Sequence, residues 1–205
     1  MLIIIGILFT IFIIIKFNDH KFQAEIKSQK DAFWKREQEA NATRKKDIGN
    51  LDYIHIPYDM LPFADTTNEI LNQSQKTLKS LEAKPIVNLT GYTNTDLKLL
   101  YGTAHINYLM GCDSNYLTLI KTVYKWGFDL HQLGYHTQAL TVLEYGVTIK
   151  TDIKKHYLLL GELYKSLKEY DKIDELIRSV EELNITSKDS TINALKELKM
   201  SYYLG

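Results

Sequence analysis

The sequence predicts an all-α protein: an N-terminal transmembrane helix followed by a helix-turn-helix array with capping helices. Three observations carry this. Apolar residues recur at three- and four-residue spacing over most of 66–205, the period of a helix buried along one stripe. The stretch VYKWGFDLHQLGYHTQALTVLEYG at 123–146 meets a pattern of the same type, YLLLGELYKSLKEYDKIDELIRSV, 34 positions later at 157–180. The first fifteen residues, MLIIIGILFTIFIII, carry no charge.

Residues 1–17 predict a short single-pass anchor. Fifteen helical residues reach about 22 Å, short of a hydrocarbon core of roughly 30 Å. Phe17 extends the run, and Lys16 has a stem long enough to bring its ammonium to the headgroups. A secretory signal peptide would show a basic leader and a small-residue cleavage site, and neither is visible. Lys16, Lys21, Lys27 and Lys30 follow the run and no base precedes it, so the positive-inside rule places the bulk of the chain in the cytoplasm. The sequons at Asn41, Asn72, Asn88 and Asn184 point to the extracytoplasmic alternative.

Residues 18–48 predict a charged helical stalk, without proline and with both signs of charge interspersed. Ile26, Phe33 and Ala40 recur at seven-residue spacing, but Gln29 breaks the coiled-coil seam and favours a solvated spacer. Residues 16–46 carry nine bases against five acids, while 47–205 carry sixteen against twenty. That acidic surplus excludes the concentrated basic face of a nucleic-acid-binding domain. A single cysteine, Cys112, excludes an intrachain disulfide.

Residues 49–65 predict an extended strap. Pro57 and Pro62 favour extended backbone before them, and Tyr53, Ile54, Ile56, Tyr58, Met60, Leu61 and Phe63 are too apolar to be left in water. Residues 66–116 predict N-terminal capping helices, one at 66–83 stopped by Pro85 and one starting near Asp96 and weakening at Gly102. Residues 117–187 predict two helix pairs, 117–133 with 137–149 and 154–167 with 171–184. Residues 188–205 predict a closing helix that turns Ile192, Leu195, Leu198 and Tyr202 inward, with Asp189 or Ser190 as its N-cap.

In register, Trp126 meets Leu160, Gly127 meets Gly161, Leu130 meets Tyr164, Leu133 meets Leu167, Ala139 meets Ile173, Leu143 meets Ile177 and Gly146 meets Val180. This resembles the tetratricopeptide repeat (TPR), a 34-residue helix-turn-helix unit, over about a third of the chain. The glycines at 127 and 161 fit the close approach of the second helix of each pair. Ile173 departs from the pattern, where a small residue is usual, as does the lack of a closing proline at Asp152 and Ile185.

The resemblance implies a concave face lined by the first helix of each repeat. Its lining positions fall on Lys121, Tyr124, Phe128, His131 and Gln132, then on Lys155, Leu158, Glu162, Lys165 and Ser166. Aromatic and basic residues together suit a peptide with an acidic or C-terminal carboxylate group. The competing occupant is the chain's own strap.

No phosphate-binding glycine loop, H-E-x-x-H, C-x-x-C or nucleophile elbow occurs. His131 and His136 lie five apart across the expected turn without carboxylates to complete a metal site. Cys112 in MGCDSN is expected in a capping loop before a helix. The sequence therefore implies no cofactor, no metal and no enzyme. It implies a membrane-anchored scaffold or adaptor that binds a protein or peptide. The alternative is a structural subunit whose helical face is permanently buried in a membrane complex or homo-oligomer.

Overall fold

The structure is a computed structural model that describes the backbone of residues 2–200 and the side chains of residue 16 and residues 18–200. It is all-α: the described residues form eight α-helices and no strand, with one isolated antiparallel bridge between Tyr53 and Val87. Two compact units result, 1–47 with 93–106, and 48–92 with 107–205.

In the first unit, α1 (Leu2–Ala42) is followed by the short helix α3 (Asn94–Tyr101) and a 3-10 turn at Thr103–His105. The side chains of 1–15 and 17, and with them the expected anchor, lie outside the described residues. Among the described residues, no helix is long and apolar enough to cross a membrane. The helix ends at Ala42, seven residues before the expected interruption at Gly49. The chain after it is captured by tertiary bonds: the Lys46 amide donates to the Tyr101 carbonyl at 3.1 Å, and the His105 ring bonds to the Lys46 carbonyl at 2.9 Å.

The end of the stalk is therefore not a solvated spacer. Arg36 pairs with Asp96 at 2.5 Å, and Lys98 reaches Glu37 at 3.2 Å and the Asn41 side chain at 2.8 Å. The Thr95 hydroxyl donates to Glu37, and this bond, ahead of Lys98, holds the Glu37 carboxyl below its usual range. Ala40 is buried here, whereas Phe22, Ile26, Phe33 and Trp34 are exposed. Thr93 and Asp96 form a reciprocal capping box that starts α3 two residues before the expected Asp96.

In the second unit, the strap leads to α2 (Glu69–Lys79), capped by the Asn68 side chain. The long helix α4 (Ile106–Gln132) follows, then α5 (His136–Thr148), α6 (Lys154–Ser166), α7 (Tyr170–Glu181) and α8 (Lys188–Met200). The turns of α4–α5 and α6–α7 recur at 34 residues, whereas α4 begins 48 residues before α6 and is about twice its length. Leu133, Gly134 and Tyr135 donate to the carbonyls of Asp129, His131 and Leu130; Leu167, Lys168 and Glu169 donate to Leu163, Lys165 and Tyr164. Both turns place their middle residue at positive φ, Gly134 at 84° and Lys168 at 63°.

The strap is ordered on the core. Ile56 and Leu61 are buried, and the Tyr58 hydroxyl donates to the Leu78 carbonyl at 2.8 Å. Phe63 lies 4.9 Å from the Trp126 ring and 5.3 Å from Tyr58. Between α5 and α6, Tyr116 fixes the turn. Its hydroxyl sits 2.8 Å from the Lys150 carbonyl and accepts from the Asn88 amide at 2.9 Å. Gly127 takes the Leu143 side chain of α5, as expected of the first pair. The space over Gly161 is filled instead by Leu195 and Leu198 of α8. Tyr202 of the expected closing helix lies outside the described residues.

Candidate partner-binding face

Helix α4 divides into two sides. Leu109, Cys112, Tyr116, Leu119, Ile120, Val123, Trp126 and Leu130 are buried. Opposite them, Met110, Leu117, Lys121, Tyr124 and Phe128 fall within one stripe, because steps of seven, four, three and four residues return to the same side of a helix. Met110 is 50% exposed, Leu117 38% and Phe128 40%, so the stripe is a seam of apolar side chains meeting solvent. Met110 escapes the sequence reading because 110–115 is read as a loop before a helix, and Leu117, at the first position of the expected helix 117–133, is not picked out as lining. The signal was available: both continue the seven-residue spacing back from Tyr124.

On α6, Lys155 and Glu162 are exposed, Leu158 and Lys165 half-buried, and all four share one side of the helix. The Tyr124 ring centroid lies 6.3 Å from Phe128 on its own stripe and 6.3 Å from His156, a buried residue at the start of α6. The structure thus places Lys121, Tyr124 and Phe128 on one stripe of α4, and Lys155, Glu162 and Lys165 on one side of α6. His131, three residues beyond Phe128 and seven beyond Tyr124, continues the α4 stripe at the end of the helix, its Nδ1 3.1 Å from Nδ1 of His136.

The strap leaves this face open. Its aromatic anchor is Trp126, and two helical residues rotate a side chain by about 200°, so Trp126 and Phe128 point to opposite sides of α4. The strap instead walls a cavity of about 700 Å³ with the segment 81–86 that follows α2, between Tyr53, His55, Tyr58, Glu82, Lys84 and Tyr108.

His156, which the sequence reading leaves among the scattered histidines, supports the face from below. It is fully buried, and its Nε2 donates to the Leu143 carbonyl at 2.6 Å while Nδ1 has no partner. Burial pushes its pKa down to about 4, so the ring is neutral near pH 7. Cys112 corrects another expectation: it lies inside α4, not in a loop before a helix N-terminus. Burial pushes its thiol pKa up, away from the range of a reactive thiolate.

Among the described residues, no group of three or more His, Cys, Asp and Glu side chains is placed to hold a metal ion. The face has the chemistry of a contact surface: apolar and aromatic area, flanking ammonium groups and one carboxylate. Comparison with protein families, curated proteins and solved structures finds no match to this chain.

Proposed function

We propose that this chain is a membrane-anchored protein–protein interaction module, a TPR-like scaffold or adaptor. It binds the apolar side of a partner peptide or helix across the stripes of α4 and α6. The observation that carries the reading is the exposed seam of Met110, Leu117 and Phe128, on a helix whose opposite side is already saturated by the core. Lys121 on the same stripe, and Lys155 exposed on α6, favour a partner with acidic flanks. The TPR-like reading is supported by the recurrence of the turn hydrogen bonds, and of the helix ends flanking them, at 34 residues. Aromatic and apolar side chains supply the contact area, the lysines steer and orient, and no bond-making step or cofactor is involved.

In this reading residues 1–17 hold the module at a membrane and the helical units lie in the cytoplasm. The Asn88 side-chain amide is engaged by the Tyr116 hydroxyl and, at 3.4 Å, the Lys150 carbonyl, which favours a compartment where that sequon stays unmodified. A cysteine placed at Ser28 in a Cys112→Ala background should resist an impermeant thiol reagent in intact cells and react after lysis. Labelling of intact cells would reverse the orientation.

The binding face is tested with a photo-crosslinking amino acid at position 128, and at Glu175 as an exposed position on α7. A discrete adduct is expected from position 128 and none from 175. Tyr124→Ala with Lys121→Glu should reduce the adduct at least tenfold while circular dichroism is unchanged. Equal yields from both positions, or an undiminished adduct in the double variant, would overturn the assignment. An adduct of twice the chain's own mass would instead support the structural reading, in which the face is buried between copies.

A further inference from the structure

We propose that His131 and His136 form a bidentate site for a late first-row divalent transition metal, of the zinc, nickel or copper class. The two Nδ1 atoms are 3.1 Å apart across the α4–α5 turn. Imidazole nitrogens bind such ions at about 2.0–2.1 Å. Two bonds of that length over a 3.1 Å base enclose an angle of roughly 98° at the metal, between the ideals of tetrahedral and square or octahedral geometry.

The donors are held by backbone rather than by chance proximity of long side chains. The Gly134 amide donates to the His131 carbonyl at 3.0 Å, and the Tyr135 amide to the Leu130 carbonyl at 2.9 Å. Gly134 takes φ of 84°, which reverses the chain within three residues and sets the first turn of α5 beside the last turn of α4. The ring centroids are 5.1 Å apart with planes tilted by 52°. Turning each imidazole about its broad outer torsion brings the two lone pairs from facing one another to a common point.

The repeat does not impose this pair. The equivalent positions of the second helix pair hold Lys165 and Tyr170, on a turn with the same backbone bonds. In the metal-free protein the Nδ1 atoms share one hydrogen bond, which needs a proton on one and a lone pair on the other. A metal ion takes both lone pairs, with each ring carrying its proton on Nε2. The remaining coordination positions are open to water or to a donor atom of a bound partner. That openness sets an affinity well below that of a closed four-ligand site.

The test uses the full chain in detergent, titrated calorimetrically with Ni²⁺ and Zn²⁺, and examined by electron paramagnetic resonance with one equivalent of Cu²⁺. One ion per chain and a copper signal split by two nitrogens are expected. His131→Ala and His136→Ala should each weaken binding at least tenfold and reduce the splitting to one nitrogen. His20→Ala and His55→Ala should change neither. The ring of His136 is exposed, so its variant should unfold at the wild-type temperature without metal. Unchanged affinity in both turn variants, or a single-nitrogen signal in the wild type, would overturn the assignment.

Discussion

A β-carbon on Gly146 would stand 2.1 Å from the ring of His156, so the imidazole lies directly on the bare backbone of α5. The same ring donates from Nε2 to Leu143, one turn earlier on that helix. The two helix pairs are therefore joined by a flat polar group in a space with no room for a methyl. Gly146→Ala should destabilise the second unit by at least about 1–3 kcal/mol, the usual range for overpacking. The check is the urea midpoint at constant slope. Adding His156→Ala should remove much of the effect of the new methyl, a coupling that a double-mutant cycle reads directly. A wild-type midpoint in Gly146→Ala would mean that α6 retreats at little expense.

Protonation of that ring has a defined sign. The native pKa of about 4 lies below the ordinary histidine value of 6.5, so the unfolded chain binds the proton more readily between those limits. The stability contributed by the neutral ring is complete above pH 6.5 and is lost as pH falls toward 4. The full span corresponds to about 3 kcal/mol. Urea unfolding at pH 7.0, 5.5 and 4.5 should show this decline, and His156→Gln should flatten it. An equal slope in the variant would assign the acid sensitivity to other groups.

The first unit depends on a different close approach. Gly102 has φ of 87°, and a β-carbon there would lie 2.5 Å from the Arg44 carbonyl oxygen. Gly102→Ala combines a strained backbone with a clash against main chain that has no rotamer to yield. A loss of more than about 1 kcal/mol is expected, confined to this unit. Hydrogen exchange locates it: the Lys46 amide, bonded to Tyr101, should exchange faster, while the Tyr135 and Glu169 turn amides keep their rates. Equal acceleration at all three sites would show that the two units unfold together.

The helix pairs were legible because their determinants are local. Leu133 and Leu167 precede turns with the same hydrogen bonds, and the register that matches Gly127 with Gly161 also matches the helix ends on either side of those turns. The beginning of α4 was not legible. Gly111, Asp113, Ser114 and Asn115 are poor helix formers, yet Leu109, Cys112 and Tyr116 are buried along one side and tertiary packing overrides the local preference. The site shows the same contrast. Tyr124 and Phe128 could be placed by counting, whereas His156 could not, because the register pairs Gly146 with Val180 and does not show that its spatial neighbour is a histidine ten residues on. The retreat of α1 to Ala42 also rests on distant partners, Tyr101 and His105, which no local pattern records.

Helix α8 lies against both α6 and α7, with Leu195 and Leu198 set over the bare backbone of Gly161. The bare backbone of Gly161 is thereby a socket already filled from within the chain: a second copy could meet the outer side of α8 but not that glycine.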